Sequence, residues 1–352
     1  MSTPLTPGML LRDRYRIREA IAEGGMGRTY LAEDLERFCE PCVIKEFLAG
    51  RTGPKERELF AREAAVLYQI DHPQIPRFRG HFEEGGRLFL VQEYIDGVTL
   101  RELLQERQTR DQVFPESEVV ELLLQILPVL GYLHRQNILH RDVSPENLMV
   151  RSRDRLPMLI DFGASKEVLA LATENLAPEG HGITATVVGK FGYAPPEQLQ
   201  TGQAFPNSDL YALAVTAVEL LTGQNPAALY NARELRWEWH DAAAVSPVLA
   251  NILDRMLARQ PGQRYRSAEE VLTEFVAWKS VRQQPKTVVA TVAKTVAAPP
   301  YPLCPPPPNP PGTGGPGNGS RCRWCLWPPG AGIGCLRAPR PHTAAPAPRR
   351  PP

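Results

Sequence analysis

The chain has 352 residues, enough for one large domain or two modest ones with a sizeable core. Its formal net charge is +1, but residues 285–352 hold eight Lys or Arg and no Asp or Glu, so the first 284 residues carry −7: an acidic body with a basic tail. No run of about 18 apolar residues offers a membrane span, and the start, MSTPLTPGMLLRDRYRI, lacks the apolar core of a signal peptide, so the reading is a cytoplasmic protein whose six cysteines are free, redox-active or metal-bound rather than paired for structure.

Short alternating or apolar runs come first: YRIREAIAEGGMGRTYLAED, CVIKEF and FRGHFEEGGRLFLVQEYI. The turn signals EGG at 84–86 and DG at 96–97 punctuate them, which predicts strands. One helical pattern interrupts, ELFAREAAVLYQI at 58–70, with Leu59, Ala65, Leu67 and Ile70 on a buried side. Beyond residue 100 the chain reads as helical. SEVVELLLQILPVLGYLHRQ (117–136) takes Ser117 as its cap and Pro128 as a kink. SDLYALAVTAVELLTG (208–223) is apolar nearly all round, which predicts a buried helix ended by Gly223. Strands with one helix, then many helices, imply two lobes.

From about residue 285 the composition changes, and nineteen of the 36 prolines lie in 285–352. Such a segment cannot bury enough surface to offset its ordering cost, so it reads as a disordered or polyproline-like tail. Its charge could attract nucleic acid or an acidic membrane surface, but regular aromatic interleaving is missing, and a solvated linker with no nucleic-acid partner is the expectation. Trp324 and Trp327 beside prolines could dock a protein partner.

Four places carry possible chemistry. In AEGGMGRTY, Gly24, Gly25 and Gly27 let the backbone come close to a guest, usually phosphate, although the same residues also make a plain turn. Lys45 sits inside the apolar run CVIKEF and needs a partner or a water-filled cleft, unless it snorkels at an edge. Glu63 on the following helix is a candidate partner, the pair presenting the ammonium to two phosphates. In HRDVSPEN (140–147) an Asp follows two residues after a His, with an Asn five further on, and fourteen residues later LIDFG sets Asp161 at a strand end. Asp and Asn are hard oxygen ligands suited to Mg²⁺, and Asp142 could accept a hydroxyl proton. Singly each carboxylate also reads as a cap or turn residue; their order and spacing carry the argument.

In that order the blocks resemble those of the bacterial protein serine/threonine kinases of the eukaryotic-like (Hanks) type, over roughly residues 12–280. The resemblance implies an α+β, two-lobed protein-kinase fold. A small N-terminal lobe (about 12–92) would have a five-stranded antiparallel sheet and helix C, and a larger, mostly helical lobe would run from about 95 to 280, with ATP between them. It implies that Gly24 and Gly27, with Gly25, cover the phosphates and that Lys45 paired with Glu63 holds two of them. Gln92 falls at the gatekeeper position, and Gln92, Glu93 and Tyr94 form the hinge for adenine. Asp142 matches the catalytic base, and Asn147 and Asp161 the Mg²⁺ ligands. Glu197 of PPE should pair with Arg264 of GQRYRS, and Asp209 should brace the backbone of the catalytic loop. The implied cofactors are ATP and Mg²⁺, the implied partners protein substrates phosphorylated on Ser or Thr, the protein itself among them. Between Gly163 and Gly189 the candidate acceptors are Ser165, Thr173, Thr184 and Thr186, with Thr186 and then Thr184 favoured, and Arg141 would receive the phosphate.

The pattern departs from the family at four positions. Ala22 stands at the first loop glycine, and Thr29 replaces the usual valine under adenine. Ser144 replaces the lysine that neutralises the γ-phosphate during transfer, and Lys190 of VVGKFGYAPPE stands where these kinases have a threonine. The two positions have exchanged chemical type, so the expectation is a compensating swap, with the Lys190 ammonium reaching toward Asp142 and the Ser144 hydroxyl taking the threonine's place. The rival reading is a weak or inactive nucleotide-binding scaffold that presents the Pro-rich tail. The cysteines read by default as buried or idle, with two alternatives: a redox-sensitive disulfide within CEPC (Cys39, Cys42), and a four-cysteine zinc site shared with Cys322 and Cys325.

Overall fold

The computed structural model describes residues 3–24, 27–47, 54–161 and 192–283. Thr184, Thr186, Lys190 and the tail with its Cys322, Cys325, Trp324 and Trp327 lie outside the described residues, and so does the side chain of Glu63.

The small lobe is built on period-two alternation. Strands β1 (Leu10–Leu11), β2 (Tyr15–Gly24), β3 (Gly27–Asp34), β4 (Glu40–Phe47), β5 (Phe78–Glu84) and β6 (Arg87–Glu93) form an antiparallel sheet in the order β1-β2-β3-β4-β6-β5. The five expected strands are β2 to β6; the two-residue β1 adds a sixth at the edge, pairing Leu10 with Arg16 and Leu11 with Tyr15. In β3 and β4 every second residue is buried. Tyr30, Ala32, Cys42 and Ile44 therefore share one face and pack with Ile17, Phe82, Phe89 and Val91 in a core of their own. The other face turns Thr29, Leu31, Val43 and Lys45 toward a cleft.

Helix α1 (Pro54–Gln69) follows β4. It buries Phe60, Ala64 and Leu67, with Ile70 just beyond its end, whereas Ala65, expected inside, is exposed. The i, i+4, i+7 set of Phe60, Ala64 and Leu67 places the stripe one residue away from Ala65. Phe60 meets Phe47 edge-on, with ring centroids 5.1 Å apart, and this seats the helix against the end of the Lys45 strand.

A three-stranded sheet, β7 (Gly97–Thr99), β8 (Leu148–Arg151) and β9 (Pro157–Leu159), leads into the helical lobe of α2 (Leu100–Gln108), α3 (Glu116–Arg135), α4 (Pro196–Thr201), α5 (Pro206–Thr222), α6 (Pro226–Leu229), α7 (Pro247–Met256) and α8 (Ala268–Gln283). Pro115, not Ser117, occupies the cap of α3, with no side-chain hydrogen bond, and Ser117 falls in the first turn. By length and composition α3 is apolar enough to cross a bilayer. Leu123, Ile126, Leu127 and Leu130 are instead fully buried in the core of this lobe, with Pro128 inside the helix. Helix α5 is buried all round from Ser208 to Leu221, as its composition predicts, and Gly223 ends it with φ of 69° and an N–H donated to the Glu219 carbonyl at 2.7 Å.

Candidate active site

The β8–β9 hairpin sets the central geometry. Asn147 lies immediately before β8 and Asp161 two residues after β9, and the Ile160 N–H donates to the Asn147 carbonyl at 2.9 Å. Two residues fourteen apart in sequence are thereby held side by side. Asn147 spends its amide donors on one neighbour, bonding the Asp142 carbonyl at 2.7 Å and the Asp142 carboxylate at 2.8 Å. Its amide oxygen is left for the cleft that Asn147 lines. Asp161 takes φ of 59°, a left-handed conformation that Asp tolerates better than most residues, and Arg141 in the preceding loop takes φ of 64°.

Asp209 organises that loop from below. It accepts the backbone N–H groups of His140 at 2.9 Å and Arg141 at 2.7 Å, and the His134 ring donates to it at 2.8 Å. Burial alone would raise the Asp209 carboxyl. The His134 hydrogen bond and the nearby imidazoles outweigh burial and hold the carboxyl below the usual carboxylate range. His140 is fully buried and its ring donates to the Ile160 carbonyl at 3.1 Å, so it ties the loop to the Asp161 side as well. Burial pushes the His140 imidazole below its usual value, despite the charges of Asp209 and Asp142. The unfolded chain then binds a proton that the folded chain refuses, so stability should fall as pH drops below about 6.5. In urea titrations His140→Gln should be less stable than the parent at pH 7 but flatter between about pH 7 and 5.5; an unchanged slope would assign the pH dependence to other groups.

Lys45 crosses the cleft from the sheet side. Its ammonium meets the Asp161 carboxylate at 2.7 Å, with the lysine side chain 17% exposed and the aspartate 50%. The cleft encloses about 520 Å³, and Ile21, Ala22, Leu31, Val43 and Met149 give it a largely apolar lining. Gln92, Glu93 and Tyr94 line it as well, Thr29 lies beside Lys45, and Asn147 and Asp161 add polar groups. The anticipated set of Ala22, Thr29, Lys45, Gln92, Glu93, Tyr94, Asn147 and Asp161 is therefore gathered around one cavity, with Asp142 one hydrogen bond away through Asn147. Gly24 ends β2 and Gly27 opens β3; Gly25 lies outside the described residues. Gly27 has a packing reason to be glycine: a Cβ there would lie 2.2 Å from the Glu46 carbonyl oxygen.

Ser144 is fully buried, and its hydroxyl has no hydrogen-bond partner among the described residues. The proposed partner position, Lys190, lies outside them. Glu197 and Arg264 form a bidentate pair at 2.7 and 3.0 Å. The remaining guanidinium donors go to the carbonyls of Ala258, Arg259 and Asn207, and Ser208 donates to Glu197 at 2.8 Å.

The structure sides with the default reading of CEPC and not with the disulfide alternative. Both thiols are free; Cys39 is exposed at φ of 61°, whereas Cys42 points into the core of the small lobe. Burial pushes the Cys42 thiol up to about 11, away from the reactive thiolate. Strand alternation decides this, since position 42 falls on the inward face.

Sequence reasoning missed a second polar knot. Arg101 at the start of α2 donates to Glu146 at 2.8 Å, to Glu219 of α5 at 2.7 and 3.0 Å, and to the Tyr193 hydroxyl at 2.7 Å. Tyr193 also donates to Glu219. Glu146 lines the cleft next to Asn147, so this knot connects the cleft floor to α5 and to the chain just after residue 191. The only trace in the sequence was a glutamate in the otherwise apolar α5 pattern.

Two lobes with a cleft between sheet and helices are the architecture to which the comparisons also point. The protein kinase domain family matches residues 15–276. The chain belongs to the protein kinase domain family. Serine/threonine-protein kinase C of Synechocystis sp. is 39% identical over 274 residues, covering 75% of this chain and 50% of that protein. Serine/threonine-protein kinase PknA of Nostoc sp. is 37% identical over 273 residues, covering 75% and 47%. The chain thus spans about half the length of the curated relatives it matches. Among solved structures, the PknI kinase domain of Mycobacterium tuberculosis superimposes with a TM-score of 0.59 at 25% identity, covering 78% of this chain and 99% of that one. The apo form of PpkA-294 superimposes with a TM-score of 0.60 at 26% identity and the same coverage. In this kinase domain the small-lobe sheet supplies Lys45 and the roof of the cleft, and the β8–β9 hairpin and the loop before it supply Asp142, Asn147 and Asp161.

Proposed function

We propose that the chain transfers the γ-phosphoryl group of ATP to Ser or Thr hydroxyls of proteins, itself included. The observation that carries this reading is the Lys45–Asp161–Asn147–Asp142 arrangement at a largely apolar cleft of about 520 Å³. Lys45 offers a compact cation for phosphate oxygens. The hinge Gln92–Glu93–Tyr94, which lines the cleft, offers backbone groups for a base. Asp142 has the acceptor lone pairs for a substrate hydroxyl proton, and the Asn147 amide fixes its orientation.

The donor set fits Mg²⁺. The Asn147 amide oxygen and the half-exposed Asp161 carboxylate are hard oxygen ligands, and among the described residues no group of three or more His, Cys, Asp or Glu forms a dedicated metal cage. A magnesium ion held by one or two protein oxygens together with phosphates is the usual arrangement, and it would neutralise charge on the transferring group.

The test is transfer of labelled γ-phosphate from Mg·ATP by the full chain, onto itself and onto a generic basic protein. Label on Ser or Thr is the expected result. Nucleotide binding without any label would favour the scaffold reading and point to Ser144. In the same assay Lys190→Ala should abolish transfer while binding persists; near-parental transfer by that variant would remove the Ser144–Lys190 exchange as an explanation.

A further inference from the structure

The residue after Lys45 is a glutamate, and alternation turns it the other way. Glu46 is 1% exposed, on the reverse face of β4 from the cleft. Directly across the strand pair stands Arg28 of β3, also buried, in register with Glu46 just as Thr29 is with Lys45. The two side chains form an ion pair at 3.9 Å. Tyr30 donates its hydroxyl to Glu46 at 2.9 Å, and Arg87 of β6 approaches the other carboxylate oxygen at 3.2 Å. Burial pushes the Tyr30 phenol above its usual value, so it stays a donor. From this group Arg28 reaches forward to the exposed Glu23 at 2.9 Å, near the end of β2, where the glycine hairpin begins. Arg87 reaches back to the Thr3 carbonyl at 2.8 Å.

Two buried charges in a lobe this small are costly unless they do something packing cannot. Here they join three elements: the strand that carries Lys45, both arms of the glycine hairpin, and the N-terminal segment. Gly27 adds a second tie at the same level, since its α-carbon lies against the Glu46 carbonyl with no space for a Cβ.

We propose that the Glu46–Arg28 pair, with Tyr30 and Arg87, is a positioning device for nucleotide binding that sets the height of the glycine hairpin relative to the Lys45 ammonium. Arg28 acts through the hairpin and Glu46 through β4; neither faces the cleft. The inference rests on the reading of the cleft as the ATP site.

The experiment measures affinity of the full chain for Mg·ATP carrying a fluorescent ribose label, then KM for ATP and kcat. The test variant is Arg28→Leu combined with Glu46→Gln, which removes both charges together, keeps an oxygen acceptor for Tyr30, and leaves Arg87 its bond to the Thr3 carbonyl. With the hairpin released, the dissociation constant and KM for ATP should rise about tenfold while kcat at saturating ATP stays close to the parent's. A structural role alone would lower the active fraction, hence kcat, and leave KM in place. Glu23→Gln cuts only the exposed end of the chain of contacts and cannot unfold the lobe, so it covers the case in which the double variant fails to fold; it should weaken ATP binding about threefold. Unchanged affinity in a folded double variant, or in Glu23→Gln if the double variant does not fold, would overturn the proposal. A parent protein that does not bind Mg·ATP at all would overturn the reading of the cleft together with it, so the two failures are distinguishable.

Discussion

Asp142→Asn should lower phosphoryl transfer about 10³-fold while leaving nucleotide affinity at the parental level. The substitution is isosteric, and the amide oxygen of an Asn at 142 still accepts the hydrogen bond that Asn147 now gives to the carboxylate. The loop itself is held from elsewhere, by Asp209 through the backbone N–H groups of His140 and Arg141, so the local fold has no reason to change. What disappears is the negative charge and the basic lone pair that would take the hydroxyl proton. Lys45, which would hold the phosphates, is paired with Asp161, so its placement is set without the Asp142 charge. Single-turnover transfer and fluorescent-nucleotide titration separate the two properties. Transfer within about tenfold of the parent would show that Asp142 is not the base, because general-base contributions run from about 10² to 10⁴.

The largest effect on stability is expected at Arg264. Its guanidinium is fully buried and every donor direction is answered, by both carboxylate oxygens of Glu197 and by the carbonyls of Ala258, Arg259 and Asn207. Arg264→Met keeps much of the volume but strands Glu197, whose side chain is 12% exposed, and leaves the carbonyls of Ala258, Arg259 and Asn207 without this donor. Removing one member of a buried pair costs about 3–5 kcal/mol. For a domain of this size that corresponds to a drop in melting temperature of roughly 10 °C. Adding Glu197→Gln should restore part of the loss, since the stranded charge is then gone. A melting temperature within about 2 °C of the parent would contradict the buried-pair account. Glu197 opens α4, directly after the segment that carries the candidate phosphoacceptors, so the double variant would also report whether this anchor matters for transfer when stability is largely recovered.

The two-sided character of β4 illustrates what a sequence can and cannot disclose. A lysine inside CVIKEF is legible as an anomaly, because an ammonium among apolar residues needs an answer. Its neighbour Glu46 is an equal anomaly, yet its partners Arg28, Tyr30 and Arg87 come from two other strands, and no local period announces them. In the same way Asp209 could be assigned to the loop backbone from the order of the motifs, whereas its bond to His134 depends on how α3 crosses α5. The Arg101 knot joins α2, α5 and the loop before β8 and leaves only one odd glutamate as a trace.

The alternation of β3 and β4, the apolar run of α5 with its terminal Gly223, and the ordered spacing of Lys45, Asp142, Asn147 and Asp161 were all determined by the sequence itself. These are properties of period and order, set by backbone geometry over a few residues. Tertiary structure alone decided which residues meet across them. It rotated the buried stripe of α1 to Phe60, Ala64 and Leu67, turned Cys42 into a core where it cannot pair with Cys39, and placed Asp161 against Lys45. The physical reason is the same in each case: a buried charge, thiol or ring is settled by the neighbours that desolvate it, and those neighbours come from distant parts of the chain.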